Sequence, residues 1–150
     1  MRRIYIIHAG NMKEDYFKKA VQEYIKRLSA AFRIDNIEIK EEHSLEKEAD
    51  KILERLDKLG RVYKIVLDRE GTRLSSEKFA ELLYNEQVYN AQSVAFIIGS
   101  SHGLADRVKS AADFRLSFSD MTFPHSLFRV MLMEQIYRAY MIENGRSYHK

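Results

Sequence analysis

The stretch Ile97–Glu134, IIGSSHGLADRVKSAADFRLSFSDMTFPHSLFRVMLME, decides the fold of this chain. It begins at the end of an apolar run that is typical of a buried strand, and it passes into a turn that contains Gly99 and Gly103. A second apolar run, Phe114–Phe118, leads into a polar segment that ends at Pro124. Turns that leave the carboxyl ends of strands are how open α/β sheets build a ligand crevice.

Pro124, the single proline of the sequence, marks the start of the last helix. Proline is favoured at the first helical position because its missing N–H is not needed there. We therefore expect a helix over residues 124–144, with Thr122 or Phe123 as its cap. The Thr122 hydroxyl can accept a hydrogen bond from one of the first free N–H groups.

Outward from this stretch, short apolar runs alternate with amphipathic helical stripes along the whole chain. Strands are predicted at residues 3–8, 34–39, 62–68, 93–98 and 114–118. Asn11 and Glu14 have the spacing of a capping box, Ser44 is predicted to cap a second helix, and Ser75 or Ser76 a third. This alternation predicts one α/β domain over residues 1–150, with a mainly parallel sheet of five or six strands.

The last helix is apolar on much more than one stripe. A helix that is apolar nearly all round must be buried on two sides. In a chain this small, we expect a second copy of the chain to cover one of those sides, which predicts a homodimer. The apolar positions are Leu127, Phe128, Val130, Met131, Leu132, Met133, Ile136, Tyr137, Ala139, Tyr140 and Met141.

Composition excludes several classes of protein. No apolar run approaches the roughly 18 residues of a membrane-spanning helix. There is no cysteine, and the five histidines lack HxH or HExxH spacing, so we expect no disulfide, no metal and no membrane partner, and a cytoplasmic location. The chain lacks the glycine-rich loops of dinucleotide and nucleoside-triphosphate sites. A net charge of +3, from 25 basic and 22 acidic residues, predicts that any phosphate contacts come from a few placed residues.

Four groups of residues together resemble a known family. They are Ile98-Gly99 with Gly103-Leu104; Leu116–His125; Arg129-Val130 with Glu134-Gln135 and Tyr137-Arg138-Ala139; and Tyr148-His149-Lys150. In this combination the chain resembles the RlmH family, the 23S ribosomal RNA pseudouridine N3-methyltransferases of the SPOUT class. The resemblance covers the sequence from the first strand to the last residue.

The resemblance implies a C-terminal trefoil knot and a pocket for S-adenosylmethionine. The positions carried over to this pocket are Leu67, Gly99, Phe118, Ser119, Asp120, Met121, Thr122 and Phe123. Without the family, Gly99 and Gly103 are explained as ordinary tight turns. The sequence departs from the family at Ser100, where a second glycine is usual, and at His102. If Ser100 had to adopt a positive φ, the turn would be strained.

The same resemblance suggests roles for residues near the end of the chain. His125 or His149 is a candidate base, Tyr148 could stack on a base of the RNA, and Arg129 at the pocket mouth and Lys150 could contact RNA. Simpler explanations exist for each. His125 could cap or pack a helix, a terminal segment is usually frayed, and Arg129 or Arg138 could form surface salt bridges with Glu134.

The implied reaction is methyl transfer from S-adenosylmethionine to N3 of a pseudouridine in 23S ribosomal RNA, with the assembled ribosome presenting the base. The alternative is a non-catalytic ribosome-binding factor that retains the fold and has lost the cofactor. Ser100 is the one feature of the sequence that favours this alternative.

Overall fold

A computed structural model describes residues 1–149, which form five strands and six helices. In chain order they are β1 (Arg2–Ala9), α1 (Asp15–Leu28), β2 (Phe32–Ile39), α2 (Leu45–Leu59), β3 (Tyr63–Arg73), α3 (Ser76–Tyr84), α4 (Glu86–Ala91), β4 (Ser93–Ile98), α5 (Asp106–Ala111), β5 (Phe114–Ser117) and α6 (His125–Glu143). The predicted alternation of strands and helices is confirmed. The short helix α4 was not predicted separately.

All strand pairs in the sheet are parallel, and their order is β2-β1-β4-β3-β5. The α/β class with a parallel sheet is therefore confirmed, and the sheet has five strands within residues 1–149. All five carboxyl ends share one edge. Strands β1 and β4 are neighbours in the sheet. After β1 the chain continues to β2 on one side of this pair, and after β4 it continues to β5 on the other side. Such a reversal is where open α/β sheets bind ligands.

The two faces of the sheet bury two separate apolar clusters. Ile4 and Ile6 point to the face covered by α1, α3 and α6, and Tyr5 and Ile7 point to the face covered by α2 and α5. This alternation follows from the two-residue period of a strand. Strands buried on both faces have contiguous apolar runs, which explains the burial of Ile4–Ile7 and Ala9; the polar His8 between them is buried as well.

Helix α6 packs against α1 and α3 and contributes Leu132, Met133, Ile136 and Ala139 to the core. The remaining large apolar residues of this helix are half-buried in the single chain: Leu127, Phe128, Val130, Met131, Tyr137, Tyr140, Met141 and Ile142. The homodimer expected from this second side stays a prediction. Within residues 1–149, no helix has both the length and the apolar composition required to cross a bilayer.

Two predicted helix caps are confirmed and two are wrong. The Ser44 hydroxyl accepts hydrogen bonds from the backbone of α2, and Ser75 does the same for α3. The Asn11–Glu14 capping box does not form, because α1 begins after Glu14 without a side-chain cap. Pro124 is itself the cap of α6, with an extended ψ of 140°, rather than its first residue. Its carbonyl accepts the first helical hydrogen bond, from Phe128.

Candidate functional site

A cavity of about 560 Å³ lies at the carboxyl edge of the sheet. Its walls are the ends of β3, β4 and β5, the turn after β4, and the segment that joins β5 to α6. The lining residues are Leu67, Asp68, Arg69, Ile98, Gly99, Ser100, Ser101, Gly103, Leu104, Leu116, Phe118, Ser119, Met121, Thr122, Phe123, Pro124, His125 and Phe128. The volume is in the range of small-molecule and cofactor sites.

The structure brings together most of the residues predicted to bind the cofactor. Those that line the cavity are Leu67, Gly99, Phe118, Ser119, Met121, Thr122 and Phe123. Asp120 does not line it, because its exposed carboxylate is paired with Arg73 Nη2 at 2.9 Å. Thr122, predicted as a helix cap, lines the cavity instead of capping α6. The cofactor roles of these residues stay predictions.

Gly99 is required by close packing of the turn. A Cβ atom at this position would lie 2.8 Å from Leu104 Cγ and closer still to the carbonyl of Gly103. The turn is closed by a hydrogen bond of 2.9 Å from the Gly103 N–H to the Ser100 carbonyl. The positive φ of the turn falls on Gly103, at 85°, and not on Ser100. Ser100 therefore fits without backbone strain, which removes the feature that favoured a protein without cofactor.

Three aromatic rings form an apolar wall of the cavity. Phe128 lies between Phe118 and Phe123, with ring centroids 5.5 Å and 5.4 Å away. The second pair is nearly perpendicular, an arrangement that the ring quadrupoles favour. The cavity is thus an apolar slot bordered by a few polar groups, which is typical of small-molecule and cofactor sites.

Asp68 is a buried carboxylate in the cavity wall that was not predicted as a site residue. Arg115 Nε donates to its Oδ2 at 2.9 Å, and the Glu70 N–H donates to its Oδ1 at 3.1 Å. Burial raises the pKa of Asp68, but these hydrogen bonds and the charge of Lys109 outweigh burial and hold the pKa below its ordinary value. The sequence offered one signal for Asp68 as a site residue, which was its position at the carboxyl end of a predicted strand. The pairing anchors β5 to β3 beside the register shift between Leu67 and Thr72.

His125 stands between the cavity and the end of β1. Its side chain lines the cavity, and Nε2 is buried without a hydrogen-bond partner among residues 1–149. The ring also borders Gly10, since a Cβ built there would lie 3.4 Å from Nε2. A buried ring nitrogen without a partner is costly, and such atoms in native structures often belong to functional sites. The simple explanation of His125 as a helix cap does not hold, because α6 has no side-chain cap.

The C-terminal tail docks on the helices of its own chain. Tyr148 packs edge-on against Tyr137, with ring centroids 4.9 Å apart, and its hydroxyl donates to Glu134 at 2.9 Å. Neither Tyr148 nor His149 lines the cavity. Within a single chain these two predicted site residues therefore do not reach the cavity, and their roles stay predictions. The simpler explanation of a frayed terminus is wrong for residues 146–149. The predicted RNA contact Lys150 lies outside the described residues.

Glu134 is the centre of the hydrogen bonds that hold the tail. Besides Tyr148, its carboxylate accepts from Tyr24 at 2.6 Å and from Arg138 at 2.7 Å. Burial raises the pKa of Glu134, but these three side chains lower it by a larger amount, so the net shift is downward. The Arg138–Glu134 salt bridge is confirmed, although both side chains are mostly buried rather than on the surface.

His149 is held in one tautomer. Arg138 Nη1 can only donate, so His149 Nδ1 accepts its hydrogen bond at 3.1 Å. The other ring nitrogen, Nε2, then carries the proton and donates to Glu77 Oε1 at 2.7 Å. Both nitrogens are therefore engaged when the tail is docked as in this structure.

Arg129 is not at the mouth of the cavity, in contrast to the prediction. It is 7% exposed and points into a second cavity, which His8 also lines. Burial, the nearby Arg129 charge and, to a smaller degree, His125 lower the pKa of His8 to about 4. His8 is therefore neutral near pH 7, and its Nδ1–H donates to the Gly10 carbonyl at 2.9 Å. The sequence could not reveal this location, because it depends on how α6 is rotated against the sheet.

No group of three or more His, Asp or Glu side chains that could hold a metal ion occurs in the described part of the chain.

Comparison with known proteins gives the following matches. A family model described as "Predicted SPOUT methyltransferase" matches residues 2–149. A protein named ribosomal RNA large subunit methyltransferase H from Caldicellulosiruptor saccharolyticus is 49% identical, over 98% of this chain and 99% of that protein. A protein of the same name from Clostridium botulinum is 43% identical with the same coverage. A probable methyltransferase from Bordetella pertussis has the same fold, with a TM-score of 0.55 at 12% identity, over 92% of this chain and 95% of that one.

The packing at Gly99 leads to a prediction for cofactor binding. In Gly99→Ala the added Cβ forces the turn away from Gly103, so we expect affinity for S-adenosylmethionine to fall at least about tenfold, equivalent to roughly 1.4 kcal/mol. Isothermal calorimetry measures this. The matched control is His102→Ala in the same turn, because its exposed side chain does not line the cavity and can be shortened without displacing the backbone. Parent-like affinity of Gly99→Ala would contradict the assignment of this turn to the cofactor site.

The lowered pKa of His8 leads to a prediction for stability. The folded chain keeps this imidazole neutral, whereas the unfolded chain takes up a proton near pH 6.5. Stability is therefore fully present above pH 6.5 and is lost as the pH falls towards about 4. His8→Asn can keep a donor to the Gly10 carbonyl but has no such titration. We expect the unfolding free energy of the parent to fall by roughly 1–2 kcal/mol more than that of His8→Asn between pH 7 and 5. Equal losses in urea titrations would refute this.

Proposed function

This chain belongs to the SPOUT methyltransferase family, and we propose that it methylates N3 of a pseudouridine in 23S ribosomal RNA. It is a methyltransferase, and its cofactor is S-adenosylmethionine. The observation that carries the proposal is the near-complete match, at 49% and 43% identity, to proteins named ribosomal RNA large subunit methyltransferase H. The pseudouridine, its N3 atom and the ribosome as substrate are supported by the resemblance of Leu116–His125 and Tyr148-His149-Lys150 to the RlmH family.

The residues of the cavity fit S-adenosylmethionine. The apolar walls of Leu67, Leu116 and Phe118 suit an adenine ring, and the close-packed turn at Gly99 leaves backbone groups at the cavity edge. Polar groups at the rim, including those of Ser101 and Thr122, are available for the charged part of the cofactor. When bound, the cofactor supplies an electrophilic methyl group on a sulfonium.

The work left to the protein is to position the target base and remove a proton. The imide N3 of pseudouridine must lose its proton before it can act as a nucleophile at neutral pH. His125 lines the cavity with a buried Nε2 that has no partner among residues 1–149, whereas both ring nitrogens of His149 are engaged. We therefore assign the base role to His125. General base catalysis contributes on the order of a hundredfold or more in rate.

We propose that Tyr148 and His149 complete the site at the cavity of a partner subunit. They bind beside Arg138, which the helical rise puts about 20 Å along α6 from His125. A tail at that position does not cover the cavity of its own chain. The half-buried apolar side of α6 supports a homodimer, and in a homodimer the tail of one protomer can complete the site of the other.

A trefoil knot is also part of the proposal. Strand β5 is at one edge of the sheet, yet the ring of His125 borders Gly10, which follows β1. The segment over residues 118–124 must therefore pass the ends of β3 and β4. Seven extended residues reach about 23 Å, enough for three strand spacings of about 4.8 Å each. This crossing, beside the turn after β4, supports a chain that passes through a loop.

The assembled ribosome is the proposed substrate, and the cytoplasm the proposed location. Twenty-five basic residues against 22 acidic ones leave a net charge of only +3. Naked RNA is bound mainly through phosphate neutralisation, which this small excess supplies poorly. A folded particle that presents the base in one orientation requires fewer phosphate contacts from the enzyme.

The function is tested by methyl transfer to ribosomes from a strain that lacks this methylation. We expect labelled methyl to enter 23S RNA, and reverse transcription to stop at one position, because a methyl on N3 blocks the base-pairing edge. Ribosomes with uridine in place of the pseudouridine are the matched control and should be poor substrates. Transfer to another RNA would refute the assignment. No binding of S-adenosylmethionine in calorimetry would instead support the non-catalytic ribosome-binding factor.

A mixing experiment tests the roles of His125 and the tail together. Alone, His125→Gln and a variant lacking residues 148–150 should each lose at least about tenfold in rate. If the tail acts on the partner's cavity, a mixed dimer of the two variants contains one intact site. We expect a one-to-one mixture to regain about a quarter of the parental rate, as random pairing predicts. No regained activity after exchange of subunits, with mixed dimers verified, would show that the tail acts within its own chain.

A further inference from the structure

A second cavity lies at the carboxyl edge of the sheet, between α1, α6 and the ends of β1 and β2. We call it the Arg129 cavity. It has a volume of about 490 Å³, and its polar lining includes Arg129, His8, Lys18, Asn11, Gln22 and Asn36. None of these residues lines the cofactor cavity, and the methyl-transfer reaction described above does not use them.

Arg129 is a buried cation that makes few hydrogen bonds and no ion pair within residues 1–149. Its guanidinium donates one hydrogen bond within residues 1–149, to Asn36 Oδ1 at 3.3 Å, and its buried Nε has no partner there. Burial lowers the pKa of Arg129, and Glu38 opposes this through space without forming an ion pair. Buried charges in proteins are ordinarily paired, so an arginine that keeps unused donors beside a cavity indicates a site for an anion.

The surroundings of Arg129 suit an oxyanion. Lys18 on α1 brings a second positive charge to the cavity, and its nearest carboxylate, that of Asp15, is exposed and 4.0 Å away. Asn11 and Gln22 add neutral amide donors. Two cations therefore face the single carboxylate of Glu38. A planar guanidinium donates parallel hydrogen bonds that match the geometry of a phosphate group.

We propose that the Arg129 cavity binds a phosphate group. The shared chemistry is that of a tetrahedral oxyanion, which either a phosphodiester of the RNA substrate or free inorganic phosphate could supply. The RNA source rests on the proposed function. It is favoured because His125 separates the two cavities: its ring lines the cofactor cavity and also borders Gly10, whose carbonyl binds His8 of the Arg129 cavity. A phosphate held by Arg129 would fix the RNA backbone next to the methyl donor.

The first test measures phosphate binding to the purified chain of residues 1–150, without RNA or cofactor. Inorganic phosphate, compared with chloride at equal ionic strength, should raise the melting temperature and shift the amide resonances of α1 and α6. Lys18→Gln should weaken phosphate binding at least about threefold, as expected for loss of one charge-assisted contact. Lys19→Gln is the matched control, because Lys19 is exposed beside Lys18 but does not line the cavity.

Two results would overturn the proposal. One is an equal response to phosphate and chloride, and the other is equal weakening by Lys18→Gln and Lys19→Gln, which would indicate unspecific attraction. Lys18 is exposed, so its variant is expected to fold even if Arg129→Met does not. Where Arg129→Met does fold, as judged by circular dichroism, it should bind phosphate no better than chloride.

The second test separates the two sources of phosphate. If the RNA backbone is the ligand, Lys18→Gln should raise the KM for ribosomes at least about threefold, leave the affinity for S-adenosylmethionine unchanged, and reduce the salt slope of RNA binding by about one. If free phosphate is the ligand, phosphate binding is weakened as before but KM and salt slope match those of the parent. The first test needs no methyl transfer. Its result on phosphate binding would therefore hold even if the proposed function were wrong.

Discussion

The burial of Leu132, Met133, Ile136 and Ala139 against α1, α3 and one face of the sheet is the contact on which the rest of the site depends. It fixes both the rotation and the axial position of α6. His125 and Arg129, one helical turn apart, are thereby directed to the ends of the central strands and into two different cavities. Glu134 and Arg138 lie further along the same helix, where they bind the tail. One helix thus sets the spacing between the cofactor cavity, the Arg129 cavity and the C-terminal residues.

Features that depend on local sequence were predictable. Strand β4 has the predicted bounds, and Ser44 and Ser75 cap their helices, because a strand in the interior and a helix cap are specified by a few neighbouring residues. The cavity at the carboxyl edge follows from parallel strands, since all such strands end on one side. The residues of the segment after β5 line this cavity, with the exception of Asp120.

Features that depend on the angle between distant elements were not predictable. Arg129 has the sequence context of an exposed helix residue, yet rotation of α6 buries it beside His8. The tail looks like a free terminus in sequence, but Glu134 holds Tyr148 through a hydrogen bond across 14 positions. Asp68 stood at a predicted strand end, but its importance depends on Arg115, which comes 47 residues later. In each case the partner is remote in the chain, so no local pattern reveals it.

The order of strands in the sheet has a consequence for how the chain folds during synthesis. Strands β1 and β2 pair with each other, as do β3 and β5, and β4 alone joins these two pairs. Residues 1–92 include β1, β2 and β3 and leave the ribosome before β4, so the edges of β1 and β3 that face β4 have no neighbour until it follows. Late closure of this kind slows folding and leaves strand edges open to wrong partners. Nascent chains arrested before residue 93 should accordingly depend on chaperones, whereas those released after it can close the centre of the sheet.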